Sequence, residues 1–282
     1  MAQKKKIWEA VIHGMFLVLG LITVYLVISG IPAIRKIGLG AFLTGKVWES
    51  TAAQPHYGIL PFILTSVYGT AGAIVLGVPI GFLTAVYLSK VAPKGVKRAL
   101  NSAVSLLAGV PSVVYGLVGM LVLVPAIRKT FHLPDGASLL AAILVLAVMI
   151  LPSIIKVSVT ALDAVPKEYE DASLALGATP IDTYFHVSVP AAKSGIAAAV
   201  VLGVGRAIGE AMAVMMVSGN APNMPSLFES VRFLTTAVAS EMSYSSGLQR
   251  QALFSIALVL YLFILLINAA LNFFLKRDKE GD

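Results

Sequence analysis

The sequence predicts an all-α integral membrane protein with six transmembrane helices. Three observations carry this. Of 282 residues, 58% are hydrophobic and 12% charged, whereas soluble domains carry about 25% charged residues. The apolar residues gather into runs near 10–34, 59–89, 99–127, 137–155, 194–220 and 251–275, each close to or beyond the roughly 20 residues that cross a bilayer. Between the fourth and fifth runs lies a polar segment, Lys156 to Lys193, which gives the bundle a soluble handle.

Taken in order, Lys4–Lys6 and the apolar run behind them resemble a signal peptide. The run to Ile34 is longer than the usual 7–15-residue apolar region and no small-x-small site closes it, so it is read as a retained first span. Residues 35–58 form an outer connection. In the second span, Gly69, Ala73, Gly77 and Gly81 recur every fourth position, a stripe that lets a neighbouring helix approach closely. Residues 90–98 read as a tight basic turn and 128–136 as a short mixed one. Pro61, Pro79, Pro111, Pro125 and Pro152 lie in or beside spans; they are either kinks, which a wet or packed path tolerates, or ordinary membrane-helix composition. Leu227–Met242 is expected as a weakly amphipathic outer helix. The chain thus divides into residues 1–58 (tail, first span, outer loop), a main transmembrane unit 59–275 and a tail 276–282.

Basic residues set the orientation. With the N-terminus inside, thirteen fall in inner segments and seven in outer ones, Arg206 lying within a span, so the positive-inside rule places both termini in the cytoplasm. The net charge of +7 is therefore topological, and nucleic acid is not a partner. Cysteine is absent, which excludes disulfides and thiolate metal sites. His13, His56, His132 and His186 show no metal spacing. Gly40-x4-Gly45-Lys46 imitates a phosphate-binding loop, but Val47 lacks the magnesium-binding hydroxyl and no strand precedes it. Asp163, Glu168, Glu170 and Asp171 read as a solvated or partner-facing charge run. No cofactor, metal or catalytic constellation is indicated.

Two segments carry function. In the polar handle, Pro166 suits a first helical turn, and Val165, Tyr169, Ala172 and Leu176 form one apolar stripe. Gly177 is placed for a left-handed cap, and Thr179-Pro180-Ile181-Asp182 forms a capping box. The expected shape is helix, sharp turn, helix, with Pro190 leading into the fifth span. Such a helix either lies in a groove on a soluble partner or packs on its own bundle. In the fifth span, Gly195, Ala199, Gly203, Arg206 and Glu210 fall within about an 80° arc of a continuous helix. Each mid-membrane charge costs about 2.5–3.5 kcal/mol on insertion scales, so this face should look into the bundle or a wet path. The i,i+4 spacing lets Arg206 and Glu210 pair. Either they form a structural ion pair, or Arg206 offers a planar donor fork to an oxyanion while Glu210 holds it or accepts from a protonated substrate.

The handle's spacing resembles the signature of ABC-importer permeases: Glu-Ala-Ala, three residues, Gly, nine residues, Ile-x-Leu-Pro. Here it stands as Asp171-Ala172-Ser173, Gly177 and Val187-x-Val189-Pro190. Further, Gly109-Val110-Pro111-Ser112-Val113-Val114-Tyr115-Gly116, Gly205 to Val214 and Ser218-Gly219-Asn220-Ala221-Pro222 resemble the C-type subunit of phosphate-specific ABC permeases. The resemblance implies a type I importer permease fold with Tyr169, Asp171, Ala172, Ser173, Leu176, Gly177 and Pro190 on or bounding a coupling helix. It implies Arg206 and Glu210 on a phosphate pathway in a bacterial or archaeal cell membrane. It also implies three kinds of partner: a homologous A-type permease subunit, two ATP-binding subunits that hydrolyse the ATP, and an extracytoplasmic phosphate-binding protein. Rivals are an importer of another oxyanion (sulfate, molybdate or phosphonate), an ion-gradient-driven carrier or channel acting alone, and a membrane-embedded enzyme.

Overall fold

The computed structural model describes residues 2–280. The basic residues expected at the two ends, Lys4–Lys6 and Lys276, Arg277 and Lys279, lie outside the described side chains, and the tail expected at 276–282 continues as helix through Glu280. Among the described residues, five helices are long and apolar enough to cross a membrane, and a pair bent by 73° brings the number to six when counted as one span.

Helix α1 (Ala2–Ile37) packs along the last helix of the chain, Gly247–Glu280. Ser255 Oγ donates to the Gly30 carbonyl at 2.6 Å, and Tyr25 meets Phe254 edge to face at 5.5 Å. From Ile12 to Ile22 the side chains of α1 are exposed and mostly apolar, which suits lipid or a membrane partner. Residues 38–58 fold into a short helix α2 (Leu39–Thr44) and an antiparallel hairpin, β1 (Trp48–Glu49) with β2 (His56–Tyr57). The Gly40–Lys46 decoy is therefore a helical turn with no strand before it.

The core of the bundle is α7 (Leu139–Asp163), which buries most of its length. Against it lies α3 (Leu60–Val86), extended by a π-helical turn, Tyr87–Val91. The small-residue stripe makes this contact possible. A Cβ added at Gly77 would stand 2.7 Å from Ile150, and one at Gly81 2.9 Å from Ile154. Pro79 and Pro152 stay inside continuous helices.

Two expectations are corrected. The third span is broken: α4 (Lys94–Gly109) begins inside the expected basic turn and stops before Val110, whose ψ of 127° is extended. Proline disfavours the helical region for its predecessor, and Pro111 then opens α5 (Ser112–Val118), which runs through a π-helical turn into α6 (Val124–Phe131). The apolar crossing is therefore Ser112–Phe131. The expected outer helix is also shorter. Residues 227–233 are engaged elsewhere, with Leu140 N donating to the Leu227 carbonyl at 2.9 Å and Val231 N to that of Ser218 at 2.9 Å. Within that stretch only Leu234–Glu241 is helical.

Beyond α7 the handle comprises α8 (Lys167–Ala175), α9 (Pro180–Thr183), a π-helical turn (Tyr184–Ser188) and α10 (Val189–Ala191). A 73° bend then leads into α11 (Lys193–Gly209), followed by α12 (Met212–Val217), α13 (Leu234–Glu241) and α14 (Gly247–Glu280). The small face of α11 packs on α7: a Cβ at Gly195 would meet Ala161, and one at Gly203 would meet Ile154.

Candidate functional site

The handle folds as its caps dictate. Gly177 takes φ +90°, a left-handed conformation that a residue with a Cβ resists, and it follows Leu176, the cap residue that ends α8 after Ala175. Thr179 caps α9, its Oγ1 accepting from Asp182 N at 3.2 Å and donating to the Asp182 carboxylate at 2.5 Å. Ser173 and Thr183 hydroxyls meet at 3.0 Å and tie the two helices together. Pro190 sits in the first turn of α10.

Sequence periodicity left open whether the apolar stripe of α8 faces its own bundle. Val165 is buried, but Tyr169 is 56% and Leu176 90% exposed, and no residue of α8 is buried. Asp171 and Ala172 are exposed beside them, and Ile181 and Phe185 extend the same apolar surface. The handle presents hydrophobic side chains outward, as a helix awaiting a groove does.

Sequence reasoning missed what anchors it. Glu170 belongs to the charge run expected to be solvated or partner-facing, yet its side chain is only 17% exposed and pairs with Lys90 at 2.5 Å. Ser188 Oγ donates to the same carboxylate oxygen at 2.8 Å, and Lys90 Nζ also reaches the Leu162 carbonyl at 3.0 Å. One carboxylate thus joins α8 to the π-helical turn ending α3 and to the turn that leads into α11. Burial pulls the Glu170 pKa up. The hydrogen bonds from Lys90 and Ser188, with the Lys90 and Lys167 charges, outweigh it and hold the group below the usual carboxylate range. No local signal marks this pair, whose members are 80 residues apart.

In the fifth span the Arg206–Glu210 pairing that the i,i+4 spacing allowed is not formed: no ion pair joins them among the described residues. The cause is a helix end. α11 stops at Gly209, Glu210 is extended with ψ 129°, and its Oε1 accepts from Ala213 N at 2.9 Å in the first turn of α12. A carboxylate at a helix N-terminus satisfies orphan donors and complements the helix dipole. Thr235 Oγ1 donates to the Glu210 carbonyl at 2.8 Å, fixing the break from the other side. Arg206 remains half-buried on α11, with one long contact from Nη1 to Ser153 Oγ at 3.5 Å. Beyond Gly205 and Gly209 there is open space. A guanidinium fork so placed can meet a planar or tetrahedral oxyanion with two parallel hydrogen bonds.

Two of the motifs that carried the resemblance, Gly109–Gly116 and Gly205–Val214, lie together. A Cβ at Gly116 would sit 2.8 Å from the Ala213 Cα, so α5 packs directly on α12 beside Glu210. No cluster of three or more His, Asp or Glu that could hold a metal occurs among the described residues.

Residues 77–278 match the family described as binding-protein-dependent transport system inner membrane component. The chain belongs to this family. Among relatives of this transport component, the probable ABC transporter permease protein YqgH of Bacillus subtilis is 41% identical over 256 residues, covering 88% of this chain and 83% of its own. The phosphate transport system permease protein PstC of Haemophilus influenzae is 34% identical over 268 residues, covering 87% and 84%. A solved structure of the MetNI methionine ABC transporter in an inward-facing conformation matches with TM-score 0.62 at 20% identity, covering 78% of this chain and 95% of that one. A crystal structure of an amino acid ABC transporter with histidines gives 0.56 at the same identity. These two establish the shared fold. The chain is thus a multi-pass membrane permease subunit with the ABC-importer fold, and the reading drawn from the Gly109–Gly116 and Gly205–Val214 motifs is borne out.

Proposed function

We propose that this permease forms half of the translocation path of an ATP-driven phosphate importer, with Arg206 as its anion contact. The observation that carries the reading is the separation of Arg206 from Glu210. Because the carboxylate caps α12, the guanidinium keeps its charge and donors for a passing ligand. The phosphate permease among the relatives supports the choice of anion. The main unit is 59–275, the coupling segment 156–193, and both termini are cytoplasmic. A second, A-type permease subunit supplies the other half. Of two ATP-binding subunits, one takes up the exposed apolar face of α8, and a phosphate-binding protein delivers substrate outside.

Mechanically, closure of the ATP-binding subunits pulls on Tyr169, Asp171, Ala172 and Leu176. Glu170, clamped to Lys90 and Ser188, passes that pull to α3 and to the turn before Pro190. The 73° bend between α10 and α11 converts it into a tilt of the helix that carries Arg206 and ends at Glu210. No step requires chemistry from this chain, whose role is binding and movement.

Two experiments test this. The chain has no native cysteine, so a single cysteine at Ala175 or Leu176 is an unambiguous probe; it should cross-link to an ATP-binding subunit. Failure across neighbouring positions overturns the coupling assignment. Replacing Arg206 with Gln should abolish phosphate uptake while the complex still assembles. Normal uptake removes Arg206 from the path, and competition by sulfate or molybdate in place of phosphate reassigns the anion.

A further inference from the structure

The outer face holds a polar node that the transport reading does not use. Glu241 ends α13 with its side chain 20% exposed, and its carboxylate gathers donors from separate stretches of chain. Trp48 Nε1 reaches it at 3.2 and 3.3 Å, Gln249 Nε2 at 3.0 Å and Ser50 Oγ at 3.4 Å. Arg232 closes the set with an ion pair and donates through Nε to the Asn220 carbonyl at 2.7 Å. The hairpin, the turn after α12 and the start of α14 are therefore all fastened to one acidic side chain. Above it opens a cleft of about 490 Å³ bordered by Glu49, Thr51 and Pro222.

The other end of α13 is fastened equally firmly. Phe233 N is capped by Thr236 Oγ1 at 3.0 Å, and Leu234 N donates to Ser66 Oγ of α3 at 3.0 Å. One residue on, Thr235 Oγ1 holds the Glu210 carbonyl. An eight-residue helix, about 12 Å long, thus connects an outward-opening cleft to the backbone of the residue that ends α11. A half-buried carboxylate with this many partners is an expensive feature for a mere surface loop, because each polar group taken from water must be matched.

We infer that Glu241 is a positioning residue: through α13 and Thr235 it sets the place of Glu210, and so the end of α11 at which Arg206 lies. The inference rests on the proposed transport reading for its purpose but not for its test. Displacing the node from outside shifts α13 as a rod, and the Glu210 carbonyl moves with it. The outer surface thereby reports on the α11 break without any contact between the two.

The test places a single cysteine at Gly209, where a side chain meets open space, in the detergent-solubilised full complex. A control cysteine stands at Gly95, which is equally open and lies in the first turn of α4. The rate of maleimide labelling is compared in the parent, in Glu241→Gln and in Thr235→Val. Glu241→Gln keeps the side-chain volume and removes the charge; Thr235→Val keeps the shape and removes the hydroxyl. Each variant should change Gly209Cys labelling by about three- to tenfold, the range set by losing one hydrogen bond's net contribution, and leave Gly95Cys labelling unchanged. Labelling at Gly209Cys that stays at the parent rate in both variants overturns the inference. So does a parallel change at both cysteines, which marks general loosening. Labelling is read without substrate, so the identity of the transported ion bears only on the functional reading.

Discussion

The Glu170–Lys90 clamp gives the sharpest quantitative expectation. Replacing Glu170 with Gln removes the charge opposite Lys90 and weakens what the Ser188 hydroxyl donates to, while preserving shape. The two side chains are 17% and 10% exposed, so the pair is close to buried. Removing one partner of a buried pair costs about 3–5 kcal/mol, and the residual exposure puts this case near the lower end, about 3 kcal/mol. In a domain of this size that corresponds to a fall in unfolding midpoint of about 6–12 °C. Thermal unfolding of the purified protein in detergent reads it directly, in a cycle with Lys90→Met. The double variant should lose much less than the sum of the two single losses, because either change alone already breaks the pair. Additive losses, within about 0.5 kcal/mol, would refute the reasoning. The pH dependence has a definite sign. The folded-state pKa lies below the ordinary 4.5, so the contribution is fully present above that value and disappears as pH falls through the lowered one. Between those limits the parent should lose stability on acidification faster than Glu170→Gln, whose midpoint follows a flatter curve.

Other expectations follow from single contacts. Gly177→Ala forces a Cβ into φ +90° and should cost about 1–2 kcal/mol, seen as faster proteolysis of the handle and weaker cross-linking at Leu176. Gly77→Ala drives a methyl to within 2.7 Å of Ile150 and should lower the unfolding midpoint by an amount equivalent to about 1–3 kcal/mol. Arg206→Lys keeps the charge but loses the planar fork, so uptake should fall by about tenfold or more with assembly intact. Glu210→Ala removes the cap on α12 and should destabilise that helix by about 1 kcal/mol, detected as quicker amide exchange at Ala213.

What the sequence made legible was local. Gly177, the Thr179–Asp182 box and Pro166 each act within one turn of chain, so the helix–turn–helix of the handle could be read from spacing alone. The stripe from Gly69 to Gly81 announced close packing because a missing side chain admits a neighbour whichever helix that proves to be. The failures came where the helix period was extended too far. Arg206 and Glu210 share an arc only if the helix continues, and Gly209 with a following carboxylate was the overlooked signal of an end and a new start. Pro111 breaks its helix while Pro79 and Pro152 do not. Val110 is extended before Pro111, at a place where α4 has already ended on Gly109, so no helical bonds had to be given up mid-span. The Lys90–Glu170 clamp and the hairpin's side of the Glu241 node were out of reach in principle, for Lys90 meets Glu170 and Trp48 meets Glu241 only through tertiary folding across 80 and 193 residues.

The central claim is that this permease moves because other subunits hydrolyse ATP, with α8 as the point where force enters. Reconstitution into liposomes tests it most directly, comparing phosphate uptake by the permease subunits alone with uptake by the full complex supplied with ATP. The account predicts uptake only in the full complex, and its loss when Leu176 and Tyr169 are both replaced by Glu. Uptake by the permease subunits without any ATP-binding partner would contradict it.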